Sequence, residues 1–157
     1  MTMIRVAITA ALVFALDRAT KHWVVEALDL KTLRAIDVLP PYLNLRMAWN
    51  EGVNFGVLDL GRDGRWVLIA VSLVIVAALI WWIRRQTDRR LAISAGVVIG
   101  GALGNVWDRL TYGAVADFLN MSCCGIDNPY AFNVADVAIF AGAAGLILWA
   151  GETDKGA

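Results

Sequence analysis

The chain has 157 residues, 59% of them hydrophobic and 18% charged, with zero formal net charge and a mean hydropathy of +0.62. That apolar load exceeds what a water-soluble domain of this size needs for its core, so the composition is that of an integral membrane protein. Balanced charge with no basic cluster interleaved with aromatics gives no reason to expect a nucleic-acid partner.

A helix needs roughly 20 mostly apolar residues to cross a bilayer. The first candidate covers about residues 4–28 and is interrupted by Asp17, Arg18 and Lys21. Its run Met3–Leu16 lacks a small-residue cleavage site and is read as a retained helix rather than a secretory signal. Asp17 precedes Lys21 by four residues, the favourable order for a helical ion pair, and the pair is read as structural, tying the first helix to the rest. His22 has no second ligand or nucleophile near it in the sequence and reads as an interfacial side chain.

The connector from Asp29 to Arg65 holds Pro40-Pro41 and then the alternating Tyr42–Met47, which predicts a short strand or two, broken at Gly52, Gly56 and Gly61. A small extracytoplasmic β platform between helices 1 and 2 is expected. Within it Asn50-Glu51-Gly52-Val53-Asn54-Phe55-Gly56 sets two amides among glycines, by itself a turn or strand break.

Three further spans are expected at about 66–83, 91–108 and 135–150, making an all-α membrane protein of four transmembrane helices in one domain over 1–157. The connector Arg84–Arg90 packs four arginines into seven residues and marks the cytoplasmic side, which puts both termini in the cytoplasm. Tryptophans at 23, 66, 81, 82, 107 and 149 fall near the predicted span ends, where an indole buries its ring and still hydrogen-bonds. Gly96, Gly100 and Gly104 recur along the third span, and Ala138/Gly142 with Ala141/Gly145 along the fourth. These stripes predict close packing of helices 3 and 4, which brings Asp117 and Asp136 together.

Asn105, Asp108 and Arg109 share one face of the third helix near its outer end, and the arginine fork suits peptide carbonyls or a carboxylate. Asp136 follows Asn133 by three residues at the start of the fourth span, where free N–H groups favour a carboxylate; Asp117 follows a helix break at Gly113. Carboxylates retained so near lipid call for a role. If folding brings the two close, they share one proton, the arrangement of aspartic proteases. Adjacent Cys123 and Cys124 make a poor bridge and are read as free thiols, and no spaced Cys/His set for a metal exists, so no cofactor is expected.

DRATK (Asp17–Lys21), NEGVNFG (Asn50–Gly56), GGALGNVWDRLTYGAVADF (Gly100–Phe118) and FNVADVAIFAG (Phe132–Gly142), in this order, closely resemble the bacterial lipoprotein signal peptidases, the type II signal peptidases. The resemblance implies an intramembrane aspartic endopeptidase of the bacterial inner membrane. Such an enzyme removes the signal peptide of a diacylglyceryl-modified prolipoprotein, cutting before the lipidated cysteine near the periplasmic face. It implies Asp117 and Asp136 as the catalytic dyad, and Asn105 and Arg109 as holders of the substrate backbone. Asn133 supports Asp136, Asn50 and Gly52 belong to the substrate-cradling platform, and Asp17, Lys21 and Asp108 are structural. Prolipoprotein and membrane lipid are the implied partners of a monomer. Asn54, where a small residue is usual, and Met121–Tyr130 depart from the pattern.

The competing reading is a small ion or proton-coupled transporter, since intramembrane Asp, Lys and Arg also mark ion pathways. Here the polar residues cluster at the outer ends of the spans and form no track through them. A thiol oxidoreductase would want a Cys-x-x-Cys pair, which the chain lacks.

Overall fold

The computed structural model describes residues 1–52 and 64–153; Asn54, Gly56 and Gly61 lie outside them. Helix α1 (Thr2–Lys21) runs on into a π-helical turn (His22–Ala27), and after Asp29 in the left-handed region comes the short α2 (Leu30–Leu33). The first expected span is therefore one helical run whose last turn is widened, with Leu28 N–H reaching back to Trp23 O at 2.9 Å. The widened turn places Val24 and Val25 inward, where they are buried.

Strands β1 (Ala35–Leu39) and β2 (Leu43–Asn50) follow, then α3 (Gly64–Ile83), α4 (Arg89–Thr111), β3 (Val115–Asn120) and α5 (Val134–Thr153). Asp88 caps α4 by accepting from Leu91 N–H at 3.2 Å and Arg90 N–H at 2.6 Å, and these bonds, the one from Leu91 foremost, hold its carboxyl below the usual range. Among the described residues three helices are long and apolar enough to cross a membrane: α3, with a mean hydropathy of 2.7, α4, and Val134–Gly151 of α5. By that measure α1 stands apart, because Arg5, Asp17 and Arg18 interrupt its apolar run.

Helix α4 is the most buried of the helices and packs against α1, α3 and α5. The expected packing of α4 on α5 is present, and the glycine stripe of α4 adds α1 as a second close neighbour. Gly96 and Gly100 press on α1, where a Cβ on Gly100 would stand 2.5 Å from Ala10 O and 2.8 Å from Val13 Cβ. Gly104 faces Asp17, where its Cβ would stand 2.6 Å from Oδ2. In the α4–α5 contact Gly142 and Gly145 of α5 lie against Ser94 and Val98 as their stripe predicts, while the glycine that α4 brings to it is Gly101, against Ala135 and Ile139. A stripe of small residues shows that a backbone comes close without saying whose.

The sheet has the order β1-β2-β3, antiparallel throughout. The platform expected between the first two spans is thus completed by a strand from the connector between α4 and α5. Gly113, at φ +84°, turns the chain out of α4 into β3, and Ala48, Trp49 and Asn50 pair with Asp117, Ala116 and Val115. Val24, Val25, Leu30, Leu45, Met47 and Phe118 form the core beneath it.

Candidate active site

Asn133 is the N-cap of α5, and it closes a reciprocal box with Asp136. Its side-chain oxygen accepts from Asp136 N–H at 2.9 Å, and its own N–H donates to Asp136 Oδ2 at 3.1 Å. The same side chain, fully buried, donates through Nδ2 to Asp117 Oδ1 at 2.6 Å and to Asn105 Oδ1 at 3.3 Å. One asparagine therefore ends a helix and touches both carboxylates.

Each remaining carboxylate oxygen also receives an amide. Asn50 Nδ2 donates to Asp117 Oδ2 at 3.0 Å, and Asn105 Nδ2 donates to Asp136 Oδ1 at 2.8 Å. The Asn50 contact is a diagonal on one face of the β2–β3 pair, two residues beyond its partner Val115. Among the described residues no ion pair joins either aspartate to a cation. Burial first, and the neighbouring Asp136 second, lift the Asp117 carboxyl from its usual range to about 6, against the hydrogen bonds from Asn50 and Asn133.

Arg109 borders the same space. Its Nη1 donates to Asn105 O at 3.3 Å, and its buried Nε has no hydrogen-bond partner. Gly52 sits beside it at φ +83°, and a Cβ there would run into Leu68 and lie 3.6 Å from Arg109 Nη2. Asn50, Gly52, Leu68, Arg109, Asp117 and Tyr130 line a cavity of about 570 Å³. On the other side of Asp136, Phe132, Val137 and Phe140 surround an apolar hollow of about 500 Å³.

Asn50, Gly52, Asn105, Arg109, Asp117, Asn133 and Asp136 thus come together. Asp108, expected on one face with Asn105 and Arg109, turns instead toward α1, where it ion-pairs with Lys21 and Arg18. Asp17 and Lys21 pair as expected, at 3.0 Å. Arg18 was not singled out by the sequence, whose i, i+4 pattern draws attention to Lys21 alone. Cys123 and Cys124 are exposed free thiols away from the dyad, as read. His22 is exposed.

Two carboxylates bridged by Asn133, at the end of membrane-length helices and beside a cavity, make up the candidate site. The fold is shared with two solved structures, each titled a bacterial membrane enzyme, at TM-scores of 0.77 and 0.75 with 27% and 26% identity. These cover 91% and 96% of this chain, and 90% and 88% of theirs. The family model for signal peptidase (SPase) II matches residues 9–151. A lipoprotein signal peptidase of Methylorubrum extorquens (strain PA1) is 45% identical over 94% of this chain and 86% of its own, and one of Rhodopseudomonas palustris is 40% identical over 94% and 92%. The chain belongs to the signal peptidase II family.

Proposed function

We propose that this protein removes the signal peptide of prolipoproteins as an aspartic endopeptidase, with Asp117 and Asp136 as its dyad. The observation that carries this is the one residue Asn133 in contact with both carboxylates, through its side-chain amide to Asp117 and its backbone N–H to Asp136, neither of which has an ion-pair partner among the described residues. Such a pair holds one proton between two acids. The ionised carboxylate takes a proton from water as the water oxygen attacks the scissile carbonyl carbon, and the protonated one gives its proton to the carbonyl oxygen. The tetrahedral intermediate then collapses: the C–N bond breaks, the leaving amine takes a proton from one carboxyl, and a hydroxyl proton of the intermediate passes to the other carboxylate, which restores the one-proton dyad. The lifted Asp117 carboxyl suits it to hold the proton below about pH 6.

Arg109, with its unsatisfied Nε, and Asn105 hold the substrate backbone, while Gly52 leaves room for the chain beside the guanidinium. Asn50 and Gly52 form the platform edge, and Asn133 fixes the dyad. The apolar hollow beside Asp136 suits an acyl chain of the modified cysteine. Four spans, counting α1 despite its charges, put both termini in the cytoplasm and the dyad near the outer face of the inner membrane, in a monomer with no metal or cofactor.

The test incubates purified enzyme in lipid with diacylglyceryl-modified and unmodified precursor and follows the size shift. Acyl chains contribute roughly 0.8 kcal/mol per buried methylene toward fixing depth, so unmodified precursor should be cut poorly. Equal rates would remove lipid from recognition, and substrate transport without cleavage would restore the transporter reading.

A further inference from the structure

Behind the dyad lies a second buried cluster whose geometry repeats itself. Asp17 and Asp108 are both fully buried, and both sit against the same two cations. Arg18 Nη2 lies 2.6 Å from Asp17 Oδ2 and 2.6 Å from Asp108 Oδ1, and Lys21 Nζ lies 3.0 Å from Asp17 Oδ1 and 2.5 Å from Asp108 Oδ2. The oxygens facing Lys21 have one more partner each. Asp17 Oδ1 accepts from Ala135 N–H at 3.2 Å, and Asp108 Oδ2 accepts from Ala116 N–H at 3.2 Å. Ala116 and Ala135 are equivalent residues of a repeated Val-Ala-Asp, at 115–117 and 134–136, each immediately before a dyad aspartate.

We propose that Arg18 is a positioning residue, which with Lys21 clamps Asp17 and Asp108 into one neutral unit and thereby fixes the two Val-Ala-Asp segments relative to each other. The inference rests on the dyad reading. Without Arg18 the bridge between Asp17 Oδ2 and Asp108 Oδ1 is gone whatever the charge balance, so each side chain, and the backbone N–H it holds, can shift against the other. Arg18 supplies the second positive charge, and its planar fork also reaches Gly104 O at 3.4 Å, anchoring α1 to α4. A displacement of the two carboxylates by a fraction of an ångström weakens proton exchange through one water while leaving the substrate groove intact.

The test compares Arg18→Met, Arg18→Lys and the pair Arg18→Met/Asp108→Asn, which loses one charge of each sign and so keeps the cluster neutral. Rates are referred to protein that elutes as a single folded species in detergent. Arg18→Met and the paired variant should lose about tenfold or more in kcat with KM within about twofold, and Arg18→Lys should recover most of the loss. A role only in stability would lower the folded yield and melting temperature and leave kcat per folded molecule unchanged, and that result overturns the proposal. So does full kcat in the paired variant, which remains measurable should Arg18→Met fail to fold. Asp117→Asn and Asp136→Asn run alongside: if they are inert while the Arg18 variants run at full rate, only the clamp falls, whereas active aspartate variants overturn the dyad itself.

Discussion

With its carboxyl lifted to about 6 by burial and then by Asp136, Asp117 sets the pH behaviour of the site. On the proposed mechanism Asp117 keeps a proton to donate below that value, and above it that acid is lost. The kcat/KM of the free enzyme should therefore decline with an apparent ionisation near 6, and Asn50→Ala, which removes a bond favouring the ionised form, should move that limb upward. A limb that stays in place would detach Asn50 from the dyad. The same shift has a stability sign. A raised folded-state pKa costs stability as pH climbs from the unfolded value toward the folded one, so the melting temperature of Asp117→Asn relative to the parent should be higher at roughly pH 8 than at roughly pH 4. Arg109→Lys, which keeps the charge and loses the fork, should raise KM and lower kcat, and parent-like values for both would make this residue a lipid-headgroup anchor instead. That Asp117 and Asp136 come together was legible in the sequence only through their motif company; two bare aspartates would have carried little. That Asn133 would reach across to Asp117 was not legible, because a capping residue announces its own helix and not the strand its second amide meets.

At the scale of elements, the contact of α4 with α1 depends on glycines that admit backbone. Gly100→Ala would drive a Cβ to 2.5 Å from Ala10 O, which is main chain and cannot swing aside, so it should cost about 1–3 kcal/mol and lower the melting temperature in detergent. Gly151→Ala, with nothing within 4 Å, is the control and should be neutral or slightly stabilising. Comparable losses in both would show that the close approach of α4 to α1 is not what Gly100→Ala disturbs. The apolar runs of α3, α4 and α5 were plain in the sequence because hydropathy is additive along a helix. Strand β3 was hidden: Val115, Ala116, Asp117, Phe118 and Asn120 are all buried, so the two faces are covered alike and the period-two alternation that betrays a strand is missing.

For the molecule as a whole, the native thiols offer a check on orientation. Cys123 and Cys124 are exposed on the connector between α4 and α5, the same connector that carries Asp117. A membrane-impermeant maleimide added to spheroplasts should label the chain, the label should vanish in Cys123→Ser/Cys124→Ser, and that double variant should keep its activity because two carboxylates need no thiol. Labelling only after the membrane is opened would invert the topology, and an inactive but well-inserted double variant would give the loop a role of its own.

The middle strand of the platform has a history as well as a place. β2 leaves the ribosome long before the partner on its far side, since both α3 and α4 must be made and inserted before Val115–Asn120 exists. Through that interval the edge bearing Asn50 has bare peptide groups and nothing to bind, and the dyad waits longer still for Asp136 at the head of the last helix. A nascent or truncated chain that lacks β3 and the start of α5 thus holds Asn50 without either of the carboxylates it would help to place.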